Sequence, residues 1–180
     1  MTVLMYFGNI AFAQRIDTAA IKRELAAILD RDQKTRRTRD SYLYMGQIDS
    51  SNLVRLEAII QKYGWPGKSF VGVAGNNAAY LVVQHAELPA QEKYLPLLTQ
   101  SVANNESNPA DLAYLEDRIL MRKGKKQLYG SQVVPNNSGT VDFYPIEDEA
   151  NVNLRRRIVG LQPIEEYAKA FGIQYKPTNK

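Results

Sequence analysis

The sequence contains no cysteine and only one histidine, His85. The absence of cysteine excludes disulfide bonds, thiol nucleophiles and zinc sites that use thiolate ligands. A single imidazole also excludes metal sites that need two or more histidines. Glycine-rich phosphate-binding loops and the Gly-x-Ser-x-Gly motif of serine hydrolases are missing as well. The chain therefore lacks the common sequence signatures of enzymes, and any active site must be built from other residues.

Long hydrophobic runs are also scarce. The one that stands out lies in residues 1–14, where Ala11-Phe12-Ala13 gives the small-x-small pattern of a signal-peptide cleavage site. No lysine or arginine precedes it, so the positively charged start of a signal peptide is missing, and a short buried strand or helix is the alternative. The pattern favours an exported, periplasmic or secreted protein over a cytoplasmic one. No later segment approaches the ~18 apolar residues of a membrane-spanning helix.

The composition is that of a globular protein, with 44% hydrophobic and 23% charged residues. A chain of 180 residues buries enough surface for an independent core. We therefore predict a single helical domain over residues 15–180 that needs neither a metal nor a disulfide to fold, and we predict no cofactor. The formal net charge of +4 is too small to favour nucleic acid as a partner, and the composition leaves the oligomeric state open.

Apolar residues at helical spacing, with capping and terminating residues at the ends, predict five helices before residue 125. The fifth is the plainest, with Asn108 as cap, Pro109 at the first helical position and Gly124 as the stop. In chain order, the five are predicted to begin at Asp17 or Thr18, at Asp49 to Ser51, after Gly75-Asn76-Asn77, at Pro89 and at Pro109.

The last third of the chain has a different pattern. Residues 126–134 and 141–144 are rich in β-formers, and the loop composition of 135–139 between them predicts a β-hairpin. Short helices are predicted from Glu147 to Ile158 and from Pro163 to Ala170. The predicted fold is thus mainly α, a single-domain bundle of about five to seven helices with a small hairpin in the C-terminal third.

The lone histidine shares its helix face with apolar residues. Ala78, Leu81 and Val82 lie seven, four and three residues before His85. An imidazole there is suited to general acid or base catalysis, because its ordinary pKa of about 6.5 is close to neutral pH. The alternative is a core histidine whose nitrogens bind a backbone carbonyl or a carboxylate. The apolar spacing by itself favours this structural role.

Two charged pairs lie on predicted helices. Asp32 and Gln33 precede Arg36 by four and three residues, which could set an acceptor beside a cationic donor, and a solvated helix end is the alternative. Asp117 and Arg118 are adjacent on the fifth helix, and we interpret them as a structural ion pair.

Uncharged polar residues dominate the start of the predicted hairpin. Strand alternation would place Gln127 and Tyr129 on one side and Gln132 on the other. Such side chains could line a hydrogen-bonding pocket or an exposed strand, and both alternatives stay open.

Acids and arginines flank the penultimate helix. Glu147 or Asp148 could orient His85 or bind a divalent cation, while Arg155 or Arg156 could clamp an anion through two parallel hydrogen bonds. The alternative is that these charges pair with the rest of the fold.

Several short motifs follow one another along residues 20–170, namely Asp32-Gln33, Gly64-Trp65-Pro66, Val83-Gln84-His85-Ala86, Asp117-Arg118, Gln127-Leu128-Tyr129-Gly130-Ser131-Gln132, Pro145-Ile146-Glu147-Asp148, Arg155-Arg156 and Gly160-Leu161. In this order they resemble the motifs of the bacterial domain-of-unknown-function 6624 family. Family members with secretion signals support the export interpretation of residues 1–14. Ser131 stands where threonine is usual and Asn153 where aspartate is expected, which puts an acidic role at Asn153 in doubt. The resemblance implies no established activity.

Because the resembling segments are polar, the leading hypothesis is that they converge on one pocket for a polar or anionic small molecule or peptide. In its enzymatic version, a cofactor-independent hydrolase or lyase, proton transfer and orientation fall to three catalytic residues, namely His85, Asp32 and Asp148. Substrate binding falls to residues with hydrogen-bonding or cationic side chains, namely Gln33, Gln127, Tyr129, Gln132, Arg155 and Arg156. No metal ligand set is predicted.

The competing hypothesis is a non-catalytic interaction domain. There the same polar side chains form a structural hydrogen-bond network that fixes the hairpin against the helices, and the function lies on an outer surface. The sequence leaves the choice between catalysis and a structural network open.

Overall fold

The computed structural model describes residues 17–37 and 43–175, so the apolar segment 1–14 lies outside the described residues. The described residues form seven α-helices and a two-stranded hairpin in the C-terminal third, which confirms the predicted mainly α fold. In chain order the elements are α1 (Thr18–Arg37), α2 (Met45–Tyr63), α3 (Lys68–His85), α4 (Leu88–Ala103), α5 (Pro109–Arg122), β1 (Val133–Pro135), β2 (Val141–Phe143), a 3-10 turn (Glu149–Asn151), α6 (Val152–Ile158) and α7 (Ile164–Lys169). None of these helices is long and apolar enough to cross a membrane.

Helix α3 lies at the centre of the bundle and contacts α1, α2, α4 and α5. Small residues allow the close approach of α1, since a Cβ atom added to Gly75 would lie 3.3 Å from the Leu25 side chain. Asp32, two turns further along α1, contacts His85 at the end of α3, so the two helices run parallel. The core around them consists of apolar side chains with no exposed surface, among them Leu25, Ile28, Leu56, Val83, Leu98 and Leu115.

Helix α5 also runs parallel to α3. Asn76 in the middle of α3 donates to Ser107, just before α5, and Arg122 at the end of α5 donates to the carbonyl oxygen of Ala86, just after α3. The start of α5 therefore lies beside the middle of α3, and the end of α5 lies beside the end of α3.

Helices α2 and α4 run the other way. Arg36 near the end of α1 binds Asp49 near the start of α2, and Lys123 after α5 binds Glu92 near the start of α4. The ends of α1, α3 and α5 thus meet the starts of α2 and α4. We call this side of the bundle the histidine end and define it by Arg36, Asp49, His85 and Arg122.

The start of α3 corrects the prediction from the sequence. The helix begins at Lys68 and passes through a break at Gly72, where φ is 79°, so Gly75, Asn76 and Asn77 lie inside it. Asn76 does not cap a helix because its side-chain amide donates to Pro66 O and Ser107 Oγ. A tertiary contact has replaced the local capping bond that the sequence suggested.

The hairpin is shorter than the predicted β-rich segments. Val133 pairs with Phe143 and Pro135 with Val141, whereas residues 127–131 form no regular strand. Leu128, Tyr129 and Ser131 donate their backbone N–H groups to the side chain of Asp117 instead of to a partner strand. The N–H of the next residue, Gln132, goes to the side chain of Gln127. Side-chain acceptors therefore shape the segment that the sequence pattern predicted to be extended.

Candidate functional site

At the histidine end, a buried carboxylate holds the single imidazole of the chain. Nδ1 of His85 lies 2.8 Å from Oδ1 of Asp32, across the contact between α3 and α1. The side chain of Asp32 is only 2% exposed, while that of His85 is 16% exposed. The imidazole therefore has one nitrogen on a fixed partner and an edge that solvent can reach.

Two further side chains bind the same carboxylate. Nε of Arg36 lies 3.1 Å from Oδ1 of Asp32, and Nε2 of Gln33 donates to Oδ2 at 2.9 Å. Burial is the largest single influence on Asp32 and raises its pKa, but the hydrogen bonds and charges of His85 and Arg36 together outweigh burial and leave the pKa below its ordinary value. Asp32 is thus a stable carboxylate near neutral pH.

A second carboxylate extends the chain of contacts to α2. Arg36 donates from Nη2 to Oδ1 of Asp49 at 2.6 Å, so one guanidinium bridges Asp32 and Asp49. The order His85, Asp32, Arg36, Asp49 connects three helices through side chains alone. These contacts hold the end of α1 against the start of α2 and the end of α3.

His85 borders a small cleft. A cavity of about 90 Å³ lies between the start of α2 and the end of α3. It is lined by the seven residues that face it from these two ends, namely Gly46, Asp49, Ser50, Leu53, His85, Ala86 and Glu87. Ligand-binding pockets usually measure ~300–1,000 Å³, so this cleft can admit the reacting end of a small molecule and not a whole one.

The same cluster offers three possible metal ligands. One ligand atom from each of Asp32, Asp49 and His85 lies within 4.8 Å of the others. The Arg36 guanidinium already binds both carboxylates, and Nδ1 of His85 is engaged by Asp32. A cation could coordinate these residues only by displacing Arg36, so the arrangement does not fit a metal site as it stands.

Most of the other predicted site residues lie in a second cluster, which we call the C-terminal network and define by Asp117, Gln127, Gln132, Arg155 and Arg156. At its centre, the carboxylate of Asp117 accepts backbone N–H groups of three residues in the loop that follows α5, namely Leu128, Tyr129 and Ser131. Burial raises the pKa of Asp117, and these N–H bonds oppose the rise. Asp117 therefore binds the loop and is not the ion-pair partner of Arg118.

The side chain of Gln127 acts in a similar way. Its amide group donates to the carbonyl oxygens of Gln132 and Tyr144, and its Oε1 accepts the backbone N–H of Gln132 at 2.8 Å. The Gln132 amide in turn donates to Ser131 Oγ. These bonds close the loop between α5 and the hairpin.

Arg155 and Arg156 donate most of their hydrogen bonds to main-chain carbonyl oxygens. Arg155 donates to Leu128 O at 2.7 Å and to Asp148 O at 2.9 Å, whereas its distance to the carboxylate of Asp148 is 3.4 Å. Arg156, which is 1% exposed, donates from Nη1 to Tyr129 O at 2.7 Å and from Nε to Gln162 O, just before α7. Both guanidinium groups pin the loop and α6 together.

The structure thus divides the predicted site residues into two groups. Asp32, Gln33 and His85 meet at the histidine end. The other predicted site residues make their hydrogen bonds and ion pairs within or beside the C-terminal network, namely Gln127, Tyr129, Gln132, Asp148, Arg155 and Arg156. In the described part of the chain, none of them is bonded to His85 or Asp32.

Sequence reasoning missed Asp49 as a site residue. Its position near the start of a helix suggested only a cap, and its role depends on the antiparallel contact between α1 and α2. Arg36 was recognisable from its four-residue spacing to Asp32. Only the tertiary fold could show that the same arginine reaches Asp49.

A family model described as a family of unknown function, DUF6624, matches residues 20–177. No curated protein and no solved structure gives a significant match to this chain.

Proposed function

This chain belongs to the DUF6624 family of unknown function, and we propose that its His85 is a general base and acid acting on a polar or anionic small molecule or peptide. The observation that carries the proposal is the 2.8 Å contact between a buried Asp32 carboxylate and a partly exposed imidazole. Histidine held in this way is suited to proton transfer, because its orientation and its tautomer are both fixed.

The chemistry follows from the acceptor character of Asp32. An ionised carboxylate accepts a proton donor, so Nδ1 of His85 carries the hydrogen and Nε2 keeps its lone pair. Nε2 can then remove a proton from water or from a substrate group and later return it to a leaving group. The negative charge of Asp32 stabilises the imidazolium formed between these steps. Asp32 and His85 together would supply the proton transfers of a hydrolysis or an elimination that uses no cofactor.

Arg36 has a supporting role in this proposal. Its bonds to Asp32 and Asp49 fix the carboxylate that orients the imidazole, and they keep two neighbouring acids from repelling each other. The cleft of about 90 Å³ beside His85 would hold the reacting group, while the rest of the ligand would extend over the surface.

A non-catalytic interaction domain is the second candidate. It is favoured by the C-terminal network, where side chains that could have bound a ligand instead bind the main chain, as Gln127 and Arg156 do. In that case the contact between Asp32 and His85 would likewise serve to lock α1 against α3.

A turnover comparison tests the proposal. Purified wild-type protein and the variants His85→Gln and Asp32→Asn would be incubated with small carboxylate- and phosphate-bearing esters, amides and hydroxy acids, and products would be detected by mass spectrometry. We expect wild-type turnover that is lost in His85→Gln and reduced by roughly 10²-fold or more in Asp32→Asn. No turnover in the wild type, or equal turnover in His85→Gln, would favour the interaction domain.

A further inference from the structure

The face of α5 that lies beside the histidine end carries two arginines. Arg118 and Arg122 are one helical turn apart and therefore share a face of the helix. Nη1 of Arg122 donates to Ala86 O at 2.7 Å, which places this face against the last turns of α3. Arg118 is one turn before Arg122 on α5. Because the two helices run parallel, Arg118 lies about one turn before His85 along the length of α3.

Arg118 is a partly buried cation without an acceptor. Its Nε atom is fully buried and has no hydrogen-bond partner, and no hydrogen bond or ion pair of its guanidinium is found within residues 17–37 and 43–175. The adjacent carboxylate of Asp117 is occupied by backbone N–H groups. A guanidinium removed from water without an acceptor is costly, and a native fold rarely keeps one unless something completes it.

The surroundings of Arg118 add positive charge and not negative charge. Burial lowers the pKa of Arg118 most, and the neighbouring charges of Arg122 and Arg36 lower it further, whereas Tyr80 and Tyr167 act in the opposite direction. No carboxylate is among these main influences. Three guanidinium groups therefore share one region, of which only Arg36 is bonded to acids.

Arg118 differs from Arg156, an arginine with a structural role. Arg156 is more deeply buried, and although its Nη2 also lacks a partner, it donates from Nε and Nη1 to main-chain carbonyl oxygens. Arg118 makes no such bond to the main chain. An arginine that pins two segments together should look like Arg156, so the unpaired state of Arg118 calls for a different explanation.

We propose that Arg118, with Arg122 beside it, is a subsite for an oxyanion, the phosphate or carboxylate group of a small molecule whose reacting end reaches His85. The planar guanidinium offers parallel N–H donors that match either group. The link to a substrate rests on the proposed function, whereas the binding of the anion depends only on the arginines. The subsite would replace the anion-clamping role that the sequence suggested for Arg155 and Arg156.

Anion binding to the full chain tests the subsite directly. Inorganic phosphate and acetate would be titrated at constant ionic strength into wild type, Arg118→Gln and Arg157→Gln, with binding followed by calorimetry and by thermal unfolding. Arg157 is an exposed arginine on α6, so its variant removes the same charge away from the site. Arg118→Gln should fold normally, because it removes a buried charge that lacks a partner.

We expect saturable binding of at least one anion to wild type and to Arg157→Gln, with affinity at least 10-fold lower in Arg118→Gln. The stronger of the two anions identifies the group as phosphate or carboxylate. Equal affinity in Arg118→Gln, or no saturable binding of either anion to wild type, would overturn the subsite. The variant His85→Gln separates the anion subsite from the proposed proton transfer by His85. It should bind the anion as tightly as wild type, because the subsite consists of Arg118 and Arg122 and does not include His85.

Discussion

The histidine end and the C-terminal network are both clusters of buried polar side chains, but they differ in what those side chains bind. In the C-terminal network, Asp117 and Arg156 bind main-chain N–H and carbonyl groups of one loop. At the histidine end, Asp32 and Arg36 bind other side chains, and the series ends on an imidazole that borders a cleft. Main-chain contacts shape the fold, whereas a series of side chains with an open end can act on a ligand.

The two buried aspartates show the same difference in their electrostatics. Cationic and imidazole partners lower the pKa of Asp32 in spite of its burial. Burial raises the pKa of Asp117 in spite of the N–H groups that it accepts. Asp32 is therefore matched to a guanidinium and an imidazole, and Asp117 is matched to the fixed dipoles of main-chain N–H groups.

The largest expected effect is in the C-terminal network, on Asp117. Asp117→Ala leaves the backbone N–H groups of Leu128, Tyr129 and Ser131 without their acceptor, so we expect a loss of about 4 kcal/mol in the free energy of unfolding. Urea denaturation measures it, with Asp30→Ala at an exposed position as the control. A loss below about 1 kcal/mol would contradict the structural role of the network.

A somewhat smaller loss is expected for Arg156. Arg156→Leu removes the donor from three main-chain carbonyl oxygens, and we expect a loss of about 3 kcal/mol, against almost none for Arg157→Leu on the exposed side of α6. The chemical reactivity of His85 should be unchanged in both variants. If Arg156→Leu altered that reactivity without changing stability, the two clusters would not be separate.

At the histidine end we expect a smaller effect that depends on pH. Asp32→Asn should lose about 2 kcal/mol at pH 7, because the charge-assisted bonds with His85 and Arg36 are weakened. The folded pKa of Asp32 lies below its ordinary value of 3.8, so its contribution is present above that pH and disappears as the pH falls through the folded pKa. Urea unfolding at a series of pH values checks this.

The matched control for this pH series is Asp30→Asn, since Asp30 is exposed and paired only with Lys34 at 3.5 Å in the bonds described for it. Its stability should follow that of the wild type at every pH. A constant difference between wild type and Asp32→Asn down to the most acidic pH would mean that the ionised Asp32 carboxylate does not stabilise the fold.

The smallest expected effect is that of added metal ions. Because Arg36 binds both Asp32 and Asp49, Zn²⁺ or Mn²⁺ should leave the thermal unfolding temperature of the wild type unchanged. A rise in that temperature that is lost in Asp49→Asn would show instead that a cation displaces Arg36 and that the histidine end is a metal centre.

Sequence reasoning succeeded where local signals determine the structure. Asn108 caps α5 and Pro109 begins it, as the sequence predicted. It was wrong about the start of α3, where the side chain of Asn76 binds a distant hydroxyl and a carbonyl oxygen in place of its own helix end. A residue suited to capping has no local signal that distinguishes these two uses.

The candidate site shows the same limit of local patterns. Asp32 and His85 were recognisable as candidates because of their chemistry, but 53 positions separate them and only the parallel packing of α1 and α3 brings them into contact. Likewise, no spacing reveals that Arg156 binds main-chain carbonyl oxygens, since carbonyls occur at every residue. The ligand-binding roles suggested for the residues of the C-terminal network stay predictions, and they would require their present bonds to break.

The reactivity of His85 toward diethyl pyrocarbonate tests the central claim most directly, because this chain has only one imidazole to modify. If Asp32 fixes the tautomer and leaves Nε2 reachable, wild type should be modified rapidly and to one carbethoxyhistidine per chain. Asp32→Asn should react several-fold more slowly at the same alkaline pH, where protonation does not limit the reactivity of an imidazole. Slow modification of folded wild type, or equal rates in the two proteins, would mean that His85 is a core residue and that the histidine end is structural.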